Sequence, residues 1–178
     1  MSEFSVVLRP ELADRPSIRS SEIDLEVARE GTVLHVLSLP GKDDSAQFID
    51  EISAKGLVLR VVSRGQWFAV GTQALTHAEL KELCGRLEPN ARIVDQSHGR
   101  VRILLGGSRA RQVLAKGSAV DFADRAFQIG HSATTLIGHI TAHITRTERH
   151  IFELIVLRTF AENLWDELER MCQEFSHL

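Results

Sequence analysis

No run of consecutive apolar residues in this sequence exceeds four, as in Trp67 to Val70 or Leu154 to Leu157. A membrane-spanning helix needs about 20 in succession. Any core must therefore be assembled from short pieces gathered along the chain, and a membrane is not an expected partner. With 178 residues, 43% of them apolar, the chain is long enough for one good-sized core or two small ones.

Those pieces alternate between the two-residue period of strands and the 3.6-residue period of helices. Residues 1–24 hold Pro10, Pro16 and a Ser/Arg run with no sustained period, and are expected to form a loose N-terminal arm. The rest, 25–178, is expected to be one compact α+β domain of two halves, about 25–97 and 98–178. In the first half Val33–Leu37 reads as a strand. Asp43-Asp44 precedes a short helix through Phe48, Ile49 and Ile52, and Leu57–Val62 reads as a buried strand. Arg64-Gly65 turns into a strand Gln66–Val70. Thr76 and Glu79 form a capping box for a helix carrying Leu80, Leu83, Cys84 and Leu87, and Ala91–Asp95 closes a β-α-β-β-α-β series.

The second half begins with Arg100–Leu105, alternating and so half exposed. Gly106-Gly107 then leads into a helix from about Ser108 to Lys116, with Gly117 placed to end it in the left-handed conformation. Three strand-like runs follow, His131–Ile137, Ile140–Thr145 and His150–Val156, with Gly138 and Arg146–Arg149 as turns. A second capping box, Thr159 and Glu162, opens the last helix, whose stripe is Ala161, Leu164, Trp165, Leu168, Met171, Cys172 and Phe175. The expected fold is α+β, two ferredoxin-like split βαβ-type units packed together.

Lys plus Arg number 21 and Asp plus Glu 24, a net charge of −3. Nucleic acid, which demands a basic excess, is not an expected partner. The N-terminal residues lack a secretory h-region, and two thiols in helical patterns suit a reducing compartment, so the cytoplasm is the expected location.

No motif assembles an active site. Gly106-Gly107-Ser108 lacks a nucleotide-loop spacing and reads as a tight turn with Ser108 as helix cap. His131, His139, His143 and His150 cluster without metal-ligand spacing, although His139 and His143 share a strand face at a spacing of four. Asp95, Ser97 and His98 read as turn chemistry, since a nucleophilic serine needs a strained elbow. Arg109, Arg111, Lys116 and Arg125 form a basic face of the third helix.

Residues 92–117, containing Asp95, Ser97, Gly99-Arg100 and the run Ala110 to Gly117, resemble the gamma subunit of heterotetrameric sarcosine oxidase. Further matches run in order: Gln66-Trp67-Phe68, Phe127 with Gly130, Thr135 with Gly138, Phe152-Glu153-Leu154, and Arg158 to Ala161 with Leu164-Trp165. Together they cover about 30–175. Gly107, Ser118 and Thr159 depart from the usual Pro, Cys and Ser, and Thr159 keeps a capping oxygen.

The resemblance implies an α+β fold like part of the glycine cleavage T-protein. It also implies an accessory, non-catalytic subunit of a complex that demethylates sarcosine to glycine, releasing hydrogen peroxide and formaldehyde or 5,10-methylenetetrahydrofolate. Its partners would be the alpha, beta and delta subunits, which would carry FAD, FMN, NAD, tetrahydrofolate and zinc; no catalytic, cofactor or metal residue is expected here. The alternative is a free-standing folate-binding one-carbon module of the T-protein type, for which 6% aromatic residues and no Tyr are poor equipment. A subunit without chemistry acts through contacts, and the expected docking face comprises Arg100, Arg102, Arg109 and Arg111.

Overall fold

The computed structural model describes residues 11–42, 46 and 48–176. Met1–Pro10 and the expected acidic pair Asp43-Asp44 lie outside them. Among the described residues, ten strands form two antiparallel sheets.

The smaller sheet holds β3 (Thr32–Ser38), β4 (Val58–Ser63), β5 (Gln66–Gly71) and β6 (Ala91–Asp95), in the order β4-β5-β3-β6. With the helices α1 (Ile49–Ala54) and α2 (His77–Leu87) between them, this is the split βαβ order read from the sequence. The capping box of α2 is formed: the Thr76 hydroxyl accepts from the Glu79 amide and the Glu79 carboxylate from the Thr76 amide. Leu83 and Leu87 of α2 and Phe48 and Ile52 at α1 seal one face of this sheet, over Leu34, Val36, Trp67 and Ala69. The strand β4, expected to be buried, lies at one edge of the sheet, and Val58 and Val61 are exposed.

The larger sheet has the order β1-β2-β7-β10-β9-β8. Its strands are β1 (Ile18–Arg19), β2 (Asp24–Val27), β7 (Arg100–Gly106), β8 (Ser132–Ile137), β9 (Ile140–Glu148) and β10 (Ile151–Leu157). The expected β-α-β-β-β-α order holds, with α3 (Ala110–Gly117) after β7 and α4 (Ala161–Ser176) last. Tight turns between β8, β9 and β10 make them a meander that closes on β7, so the split order belongs to the first unit alone. Val101, Ile103 and Leu105 point to α3 and α4, which cover this face with Val113, Leu114, Leu164, Trp165 and Leu168. The stripe expected on α4 is buried throughout.

Residues 11–24 differ from the loose arm expected of them. Ile18 and Arg19 pair with Leu25 and Asp24, β2 pairs with β7, and Leu12 and Ile23 are buried in the helix-side core. The Ser20 hydroxyl donates to the Phe175 carbonyl, and Arg15 pairs with Asp166 at 2.8 Å. A two-residue strand has no period to show, which is why the sequence does not reveal it.

Three local expectations also change. The last helix does not start on a Thr159 cap: Arg158–Phe160 forms a 3-10 turn, because the Arg158 amide and guanidinium are held by the Gly99 and His98 carbonyls. Gly117 lies within α3 rather than beyond it, and its missing side chain makes room for Met171 and Ile137. Arg146, expected in a turn, is a buried strand residue whose guanidinium donates to the Phe127 and Arg149 carbonyls and pairs with Asp124.

Replacing Trp165, 1% exposed at the centre of the α4 stripe, with Ala is expected to cost about 3–5 kcal/mol. Thermal or chemical denaturation of wild-type and variant chains measures it.

Candidate functional site between the two sheets

The two sheets pack face to face, with helices on both outer sides. The alternation of β7 sends Val101, Ile103 and Leu105 toward the helices, so Arg100 and Arg102 must face the other sheet. In β5, Trp67 and Ala69 serve the helix-side core, while Phe68 and Val70 join Val33 and Ile155 between the sheets.

Glu153 on β10 occupies the middle of this inter-sheet layer with its side chain 2% exposed. Its Oε2 accepts from Arg60 Nε of β4 at 3.1 Å, and its Oε1 from Arg102 Nε at 2.8 Å and Nη2 at 2.7 Å. Arg102 also donates to the Gly71 carbonyl at 2.9 Å. One carboxylate thus joins two guanidinia from opposite sheets, and both of its oxygens are used.

Beside this triad, Phe68 is contacted by three groups. His35 and His143 lie with ring centroids 5.2 Å from it, and the Arg100 guanidinium sits 4.7 Å above its ring. His143 is buried; its Nδ1 meets the Thr134 hydroxyl at 3.0 Å, and its Nε2 has no partner. Burial pushes its pKa down to about 4, against the pull of Glu153, with Arg100 and Arg60 adding to the fall. His35 is lowered for the same first cause, and its Nε2 is likewise unpartnered. Both imidazoles are therefore neutral near pH 7. Next to Arg100 and Arg102 lies a cavity of about 460 Å³, bordered also by Leu12, Arg29, Ser97 and Arg158.

The expected docking face is not one surface. Arg102 is 11% exposed and bound to Glu153, and Arg100 lies on Phe68 with its Nε donating to Gln96. Arg109 and Arg111 sit at the start of α3, on the opposite side of the same sheet, paired with Glu22 at 2.7 Å and Asp124 at 2.9 Å. A strand's alternation separates the two pairs, although they are close in sequence.

Ser108 does not cap α3, whose N-cap is Arg109 with no side-chain cap bond. The turn at Gly106-Gly107 is built for protein contacts. Gly107, at φ +106°, donates to the His150 carbonyl, Arg109 donates its amide to the Glu22 carbonyl, and a β-carbon on Gly107 would collide with Glu22. Ser97 donates to Asp95 and accepts from the Val33 amide, so its hydroxyl is committed to the turn. His139 sits exposed in the β8–β9 turn while His143 is buried between the sheets. Among the described residues no group of three or more His, Cys, Asp or Glu could hold a metal ion. Burial raises the thiol pKa of Cys172 to about 11. The residues missed from sequence are Arg60, His35 and Glu153 as a polar layer; only the acid Glu153 between Phe152 and Leu154 hints at it.

Two measurements follow from this layer. Glu153→Gln leaves two inter-sheet guanidinia without their counter-charge and is expected to lose about 3–5 kcal/mol in chemical denaturation. For His143, the folded pKa of about 4 lies below the unfolded value near 6.5, so the unfolded chain binds the extra proton in that interval. Its contribution is fully favourable above pH 6.5 and is lost as pH falls toward 4, on the order of 3 kcal/mol in all. Unfolding midpoints of wild type and His143→Gln across that range isolate it: the difference between the two must change with pH.

The fold has clear relatives. It superposes on a chain of the heterotetrameric sarcosine oxidase from Corynebacterium sp. U-96, solved with pyrrole 2-carboxylate, at TM-score 0.77 and 20% identity, covering 91% of this chain and 90% of that one. It also matches the glycine cleavage system aminomethyltransferase T from Bartonella henselae at TM-score 0.59 and 15% identity, covering 83% of this chain but 45% of that one. No curated protein matches the sequence. The model of the sarcosine oxidase, gamma subunit family (SoxG) matches residues 42–174, three quarters of the sequence and every described strand after β3, and the chain belongs to that family.

Proposed function

We propose that this chain serves as the gamma subunit of a heterotetrameric sarcosine oxidase, contributing architecture rather than chemistry. The family match over residues 42–174 carries the reading. The inter-sheet layer supports the accessory role, because its carboxylate is spent on two guanidinia and the turn hydroxyl of Ser97 on Asp95. In this reading the alpha, beta and delta subunits hold FAD, FMN, NAD, tetrahydrofolate and zinc. The complex converts sarcosine to glycine with hydrogen peroxide and formaldehyde or 5,10-methylenetetrahydrofolate, in the cytoplasm.

Of the four arginines first expected to dock, Arg109 and Arg111 remain available, since both are partly exposed and their ion pairs are of the surface kind that exchange partners at little cost. Arg100 and Arg102 are withdrawn into the fold. A folate module of the T-protein type is disfavoured by the cavity, whose described wall contains no aromatic ring to stack on a pterin.

The test is co-expression with two large flavin-type chains and a small cysteine-rich one. The chain is expected to co-purify in fixed stoichiometry, to be colourless alone, and to lose co-purification on charge reversal at Arg109 and Arg111. A flavin spectrum in the isolated chain, sarcosine oxidation by it alone, or full assembly of the complex without it would overturn the reading.

A further inference from the structure

We propose that the cavity beside Arg100 binds a small organic monocarboxylate, its carboxylate paired with Arg100 and Arg29 and its apolar body packed on Leu12, Val27 and Val33. The cavity, about 460 Å³, is of the size that small-molecule sites occupy. Its wall is dominated by positive charge, and the arginines there divide into two kinds. Arg102 is neutralised by Glu153, Arg158 by Glu11 and Glu30, and Arg15 by Asp166. Arg100 and Arg29 have no carboxylate partner among the described residues.

Arg100 is the more telling of the two. It is half-buried, its only hydrogen-bond acceptor among the described residues is the Gln96 side chain, and its face lies on the Phe68 ring. Burial pulls its pKa down, as it does for a cation that lacks a counter-charge. Its terminal nitrogens, which have no protein acceptor among the described residues, belong to a residue that borders the cavity. A desolvated guanidinium without an anion is unfavourable, and its planar fork fits a carboxylate through two parallel hydrogen bonds.

The remainder of the wall selects among anions. Leu12, Val27 and Val33 are apolar, and Leu12 is held at φ +64°, a left-handed conformation a leucine adopts only where its surroundings impose it. Glu11 and Glu30 in the same wall share the single guanidinium of Arg158, and their surplus negative charge opposes a second negative charge on the ligand. Two unpaired cations, two acids and an apolar patch suit a monoanion with a short apolar body, and disfavour a compact, strongly hydrated dianion such as phosphate.

Calorimetric titration of the full-length chain in chloride-free buffer tests this with benzoate, its neutral analogue benzyl alcohol, and inorganic phosphate. Benzoate is expected to bind saturably, benzyl alcohol not at all, and phosphate more weakly than benzoate. Arg100→Gln is expected to lower benzoate affinity about tenfold or more, the loss of a charge-assisted pair. Arg29 is exposed and outside the packed layers, so Arg29→Gln is expected to leave the ligand-free melting midpoint unchanged while weakening benzoate binding about threefold or more. Should Arg100→Gln fail to fold, Arg29→Gln decides. Absence of saturable benzoate binding, equal affinity for benzyl alcohol, tighter binding of phosphate, or unchanged affinity in Arg29→Gln overturns the proposal.

Discussion

Glu153 joins the sheets. Taking one carboxylate and two guanidinia out of water is costly, and the cost is offset only when every charge has a partner in good geometry. Here Glu153 reaches Arg102 on its neighbouring strand and Arg60 across the inter-sheet gap, and Arg102 goes on to the Gly71 carbonyl. Slipping one sheet over the other would strand a buried charge. The apolar inter-sheet cluster of Val33, Phe68, Val70 and Ile155 is small beside the two helix-side cores, so the ionic contacts, more than burial, specify how the halves register.

The same layer determines what the molecule has to offer. Its histidines are neutral, its carboxylate is committed and Phe68 is enclosed by His35, His143 and Arg100. Such a layer is structural chemistry, consistent with membership of a subunit family. Where the layer opens to the cavity, Arg100, with Arg29 across the cavity wall, has no carboxylate partner among the described residues.

Much of the architecture was legible because it depends on local patterns. The Thr76–Glu79 box, the α4 stripe and the β-α-β-β-α-β order each depend on residues a few positions apart. The two four-residue apolar runs, Trp67–Val70 and Leu154–Leu157, mark strands whose buried residues serve two layers: Trp67 and Leu154 face helices, Phe68 and Ile155 the opposite sheet. Misreadings arose where a long-range contact overrode the local pattern. The Thr159 cap gave way to the hold of Gly99 and His98 on Arg158, and the charged run at Arg146 became a buried anchor for the loop carrying Asp124 and Phe127.

The candidate site belongs almost wholly to that second category. The two-residue period of β7 shows by itself that Arg100 and Arg102 share a face, and the resemblance of residues 92–117 identifies the family. Period says nothing about what lies opposite a face. That Arg102 meets Glu153, that Arg100 lies on Phe68, and that Arg109 is on the far side of the sheet were decided by the packing of strands distant in sequence. Side-chain alternation and capping act over a few residues and are written in the sequence. Charge pairing across two sheets acts through space, between positions such as Arg60 and Glu153 that only the folded chain brings together.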